Sequence, residues 1–238
     1  MNGNKNRKAA TDYMDTETKL LKSFKKSMTR ARFLLISRFG ETKTADIESD
    51  CLKEYRNLIP QIPYIGDKNP MLVFFLPTVR CLAIYRALQK HGYGIDTVGQ
   101  FIYEAAKIEV DAIPGIIRKL MGFFWFTSFF RRRIKRRAKL SQNRLFKDDF
   151  VFSCIDGNGE DFDFGIDYIE CANCKFLIAQ NAIELAPYIC ETDRIASELL
   201  GWGLTRTKTI ADGKDKCDFR FKKHGKTFIT GSSVQIQK

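Results

Sequence analysis

Near residue 148 the apolar residues of this chain stop recurring every three or four positions and begin to alternate, and that switch constrains the fold more than any other feature. Before it, Leu20, Leu21, Phe24, Met28, Ala31, Leu34 and Leu35 predict a helix over 16–39, which Gly40 can end. A second helix is expected over 44–58, stopping before Pro60 and Pro63. A third runs from near Pro70 to the Gly92–Gly94 break, with Pro77 marking a kink or the true start. A fourth covers 95–110, with Val98, Phe101, Ile102, Ala105 and Ile108 on one side.

After the switch, 149–155 and 161–171 read as strands joined by Asp156-Gly157-Asn158-Gly159, a hairpin signature. Phe162, Phe164, Ile166 and Tyr168 then share one face. A helix over 173–185 follows, and Pro187 suits the first turn of another that ends at Gly201. Strands at 203–211 and 216–223 flank Asp212-Gly213-Lys214-Asp215. The order β-β-α-α-β-β predicts an α+β fold: a helical N-terminal part, then a small antiparallel sheet of about four strands with helices on one face. The expected organisation is a disordered leader over 1–15, a helical region over 16–147, a cysteine-containing module over 148–230 and a tail over 231–238.

The net charge of +12 is concentrated in one place. Eleven Lys and Arg and no Asp or Glu lie between Arg118 and Lys147, so the rest of the chain carries only +1. A nucleic-acid face recruits cations from several elements, and this distribution argues against one. The segment adjoins an apolar stretch, 113–130, whose uninterrupted part covers about ten residues, whereas a membrane span needs ~20. The expectation is a helix or loop packed on the body with a solvated basic end. The alternative is a weak peripheral contact with anionic lipid through 118–147. The seven cysteines, unevenly spaced in a chain of 238 residues without an opening apolar signal, read as reduced cytoplasmic thiols.

Four of those cysteines fall in the module beside carboxylates or a lysine. Cys190, three residues after Pro187, is expected near a helix N-terminus, where free amides and the macrodipole lower a thiol pKa. Asp193 and Ser197 follow on the same side of that helix. The competing assignment makes Cys190 a buried structural thiol. Cys217 alternates with Phe219 and Phe221 toward the core. Arg206 alternates with apolar neighbours, so its guanidinium wants a carboxylate: Asp218, Asp193 or a substrate's own. Cys171-x-x-Cys174 with Cys190 and Cys217 would supply four thiols to zinc. A zinc ribbon has two such pairs, whereas this chain has one pair and two singles, so no metal is expected and zinc is the alternative.

The segments Phe164-Gly165-Ile166-Asp167-Tyr168-Ile169-Glu170-Cys171, Cys174-Lys175-Phe176, Leu185-Ala186-Pro187-Tyr188-Ile189-Cys190, Gly201-Trp202-Gly203-Leu204-Thr205-Arg206-Thr207 and Cys217-Asp218-Phe219-Arg220-Phe221 resemble the L-2-amino-thiazoline-4-carboxylic acid hydrolase family. The likeness extends from about Met71 to Lys223. It implies hydrolysis of a C–N bond in a small cyclic amidine. That chemistry needs a nucleophile, either Cys190 thiolate or water polarised by Asp193 or Asp218. Arg206 is then the candidate for the substrate carboxylate with Glu170 also at the substrate, and Lys175, Glu170 or Cys217 the proton donor. The module is also similar to 4-vinyl reductase-type domains, which implies a non-enzymatic sensor of a small molecule or metal. The oligomeric state is not legible.

Overall fold

The computed structural model describes residues 17–66 and 69–237. The leader expected over 1–15 lies outside them. Helix α1 (Glu17–Phe39) buries Phe24, Met28, Ala31, Leu35 and Phe39, one stripe at helical spacing. Gly40, at φ 85°, ends it while its N–H still reaches Ile36 O at 2.9 Å. Helix α2 (Glu41–Leu58) starts directly afterwards, three residues earlier than its apolar pattern suggests.

Helix α3 (Leu72–Lys90) runs through Pro77 without interruption, so the proline is neither its start nor its end. Phe75, Val79, Leu82, Ala83, Ala87 and Leu88 of α3 are fully enclosed. Among the described residues α3 alone is long and apolar enough to cross a membrane, and half of that stretch is buried inside the fold. Helix α4 (Ile95–Asp111) completes the helical layer. The 113–130 stretch forms two helices, α5 (Gly115–Trp125) and α6 (Ser128–Ser141), broken at Phe126–Thr127. The Thr127 hydroxyl caps α6 by accepting from the Phe130 N–H at 3.2 Å.

Strands β1 (Val151–Asp156) and β2 (Phe164–Glu170) pair antiparallel, Cys154 opposite Ile166. The loop between them is longer than a two-residue hairpin turn, and Asn158 closes it by accepting from the N–H groups of Glu160 and Asp161. Helix α7 (Ala172–Ala179) is shorter than expected and is followed by a separate 3-10 turn at Ile183–Leu185. Helix α8 (Ala186–Leu200) carries Pro187 in its first turn and ends at Gly201 in the left-handed conformation, as its sequence signals require.

The second hairpin needs correction. Strand β3 (Leu204–Arg206) is only three residues long, and a 3-10 turn at Ile210–Asp212 separates it from β4 (Cys217–Phe221). A fifth strand, β5 (Phe228–Ile229), pairs parallel to β3. The sheet order is β1-β2-β4-β3-β5, so the α+β class holds but the sheet is mixed and five-stranded. One hydrophobic cluster runs from Phe24 in α1 to Ile229 in β5 and joins the helical layer to the sheet. Polar ties reinforce that junction. Asp149 accepts from Asn69 at 3.1 Å and pairs with Arg137.

Candidate functional site

Arg206, the last residue of β3, organises the site. Its side chain is completely enclosed. Strand alternation turns it inward toward α8, where Nη1 donates to the Cys190 carbonyl at 2.8 Å and to Asp193 Oδ2 at 2.5 Å. Nη2 lies 3.4 Å from Glu191 Oε1, and Glu191 is itself buried and shared with Arg194 at 3.5 Å. The guanidinium also lies 5.8 Å from the Phe219 ring. Its Nε is buried without a hydrogen-bond partner among the described residues. Of the carboxylates proposed for Arg206 from the sequence, Asp193 is the one bound. Asp218 instead accepts from Thr207 N, Thr207 Oγ1 and Lys208 N, holding the turn that follows β3.

Helix α8 is fixed against the sheet one turn further on. Ser197 is buried, and its Oγ accepts from Leu204 N–H at 2.9 Å and bonds Thr227 Oγ1 at 2.7 Å. This staple keeps Cys190 and Asp193 facing β3 and β4. In the sheet, Tyr168 of β2 stands opposite Cys217 of β4, and Cys217 Sγ accepts from the Ile210 N–H at 3.2 Å. Cys171 sits at the N-cap of α7 and shares a thiol hydrogen bond with Cys174. Tyr168, Cys171, Cys190, Asp193, Arg206 and Cys217 therefore form one electrostatic neighbourhood, in which each feels several of the others.

That neighbourhood bears on the two assignments of Cys190. The thiol is the fifth residue of α8 and lies in protein surroundings rather than at a free helix end. Burial pushes it well above the ordinary thiol range, Asp193, Cys171 and Cys217 push the same way, and Arg206 alone opposes them. Burial likewise lifts Cys217 to about 12, and the Cys174 hydrogen bond followed by burial raises Cys171. Thiols raised in this way favour the second assignment of Cys190, a buried structural thiol, over an activated thiolate.

Asp193 differs. Its side chain keeps 36% of its surface open to solvent although Arg206 holds one oxygen. Desolvation raises its pKa to about 6 against the lowering pull of Arg206, and water on the open side moderates that shift. A carboxylate that changes charge between the ordinary 3.8 and about 6, is tethered on one side and is open on the other can take a proton from water.

Two other sequence candidates lie elsewhere. Lys175 and Glu170 pair with each other, Arg144 joins Glu170 at 2.7 Å, and Lys175 Nζ donates to the carbonyls of Lys147 at 2.7 Å and Asp149 at 3.0 Å. They tie down the approach to β1. Cys174 is buried below them. Among the described residues no three His, Cys, Asp or Glu side chains are gathered as a metal site, and the four thiols do not close into one ligand set. Sequence reasoning missed Glu191 and Tyr168 as neighbours of the site. Glu191 adjoins Asp193 on a helix already facing Arg206, a signal that was present. Tyr168 depended on the β2–β4 register, which no local pattern carries.

A family model described as L-2-amino-thiazoline-4-carboxylic acid hydrolase matches residues 76–221, more than half of the chain. No curated protein and no solved structure matches it. The matched span contains every residue of the neighbourhood around Arg206.

Proposed function

The chain belongs to the L-2-amino-thiazoline-4-carboxylic acid hydrolase family, and we propose that it opens a small cyclic amidine of the aminothiazoline type with water activated at Asp193. The observation that carries this reading is a carboxylate raised to about 6, open to solvent and oriented by a fully buried arginine. Asp193 takes a proton as water adds to the amidine carbon. It passes that proton to the ring nitrogen, then takes the proton of the new hydroxyl as the carbonyl forms and gives it to the departing amine as the C–N bond breaks, so the carboxylate is regenerated. Arg206 acts as a positioning residue, because its guanidinium is fully enclosed and is already engaged by Asp193, Glu191 and the Cys190 carbonyl. All seven cysteines are free thiols, which suits a reducing, cytoplasmic compartment.

The test is turnover of L-2-amino-thiazoline-4-carboxylic acid and related cyclic amidines, followed by loss of the ring and appearance of the opened product. Asp193→Asn should lower the rate by roughly 10²-fold or more. The sign of the pH dependence follows from the base role: the rate rises as Asp193 ionises through about pH 6. Undiminished turnover in Asp193→Asn would sink the mechanism. A second reading, a binding module without turnover, is favoured by the protonated thiols and the internally occupied Arg206. Saturable binding of the amidine with no opened product would select it.

A further inference from the structure

Helix α5 presents its apolar side to the outside. Ile116, Ile117, Leu120, Met121, Phe123 and Phe124 are 41–72% exposed. At 100° per residue they occupy one arc, opposite Gly122, the only buried residue of the helix. Gly122 approaches α8 so closely that a Cβ there would stand 2.0 Å from the Leu200 carbonyl oxygen. The helix is therefore seated through its backbone and through Trp125, which stacks on Trp202 at 4.2 Å. A helix covering a core does the reverse and buries its large side chains.

The exposed surface continues onto α6, where Phe129, 62% exposed, meets Phe124 at a ring distance of 6.0 Å. Beside it, Arg132, Arg133, Arg136 and Lys139 are exposed on the outer side of α6. Of the eleven cations between Arg118 and Lys147, four are engaged: Arg118 with Asp111, Lys135 with Asp156, Arg137 with Asp149 and Arg144 with Glu170. The other seven make no ion pair among the described residues, and the four on the outer side of α6 are among these.

We propose that the α5–α6 hairpin is an interfacial anchor that lays its apolar face into the surface of an anionic phospholipid bilayer. The charge decides the occupant. An apolar face flanked by unpaired cations, without an acid in 30 residues of sequence, complements a surface that is apolar beneath and negative above. A second copy is disfavoured, because self-pairing through this face would set the same cations against each other. At 11 residues α5 is too short to span and lies in the plane of the interface.

Co-sedimentation of the full chain with phosphatidylcholine vesicles, with and without phosphatidylserine, tests this at low and physiological salt. The expected result is roughly tenfold or greater enrichment on the anionic vesicles, falling as salt rises. Two exposed-face variants, Ile116→Ser/Ile117→Ser/Leu120→Ser and Arg132→Gln/Arg133→Gln/Arg136→Gln, should each lose most of that binding while keeping the wild-type melting curve. No pelleting with anionic vesicles overturns the proposal, as does binding that neither variant reduces. A lipid-free dimer that the serine variant dissociates, with no vesicle binding, assigns the face to a second copy and overturns it too.

Discussion

The Arg206 neighbourhood and the α5–α6 hairpin treat the same residue type in opposite ways. Arg206 is enclosed, and two carboxylates and a carbonyl answer it. The outer arginines of α6 stand in solvent and make no ion pair among the described residues. Apolar groups are inverted in parallel: Phe219, Phe221 and Cys217 turn toward the core along β4, whereas Ile116, Leu120 and Phe123 turn away from it. A buried charge survives only when its partners are built into the fold, so the first region is locked by internal complementarity. The second region is complete in itself only at its glycine and tryptophan seat, and it leaves its chemistry to be answered from outside.

The sharpest break of this contrast is Arg206→Ala. It leaves buried Glu191 with Arg194 alone at 3.5 Å and releases half-open Asp193, and should destabilise the fold by up to ~3 kcal/mol, measured by chemical denaturation. A loss under about 1 kcal/mol would mean that solvent already relieves the pair and that the two regions differ less than described. Next in size is Gly122→Ala. The added Cβ must displace the Leu200 carbonyl or the helix, at a cost of roughly 1–3 kcal/mol, with the Trp125–Trp202 stack loosened and visible as a change in tryptophan fluorescence. An unchanged stability curve and spectrum would show that α5 is not seated through its backbone. Smallest is Arg132→Gln/Arg136→Gln, which removes no ion pair among the described residues and should stay within about 0.5 kcal/mol of wild type. A larger loss would reveal an internal role for the α6 cations.

The helices were largely legible because their stripes and their Gly and Pro boundaries are local. Gly40, Pro187 and Gly201 mark ends that the structure keeps. The inward set of β4 was legible for the same reason, since alternation is local. Strand β5 was not: two residues, Phe228 and Ile229, carry no period, and their parallel pairing with β3 joins segments whose meeting only the tertiary fold decides. The partner of Arg206 lay among two named acids, but the choice depended on how α8 docks on β3. Helix position left Cys190 between a lowered thiol and a buried structural one, and burial, which sequence position does not report, raises it. The outward face of α5 has the same cause in reverse. Periodicity showed an apolar run, and only Gly122 against Leu200 shows which side of the helix is held.

The protonation of Asp193 decides its role, and it can be followed directly by titrating the side-chain carboxyl carbon of Asp193 by NMR in the unliganded protein, with Asp193→Asn to assign the signal. Desolvation against the pull of Arg206 predicts a midpoint near 6, above the ordinary 3.8. The sign for stability follows: the folded chain holds this proton between those two values while the unfolded chain does not, so the Asp193 contribution falls as pH rises through that window. A midpoint at or below 3.8 would mean that Arg206 merely neutralises a structural ion pair, and would contradict Asp193 as the base.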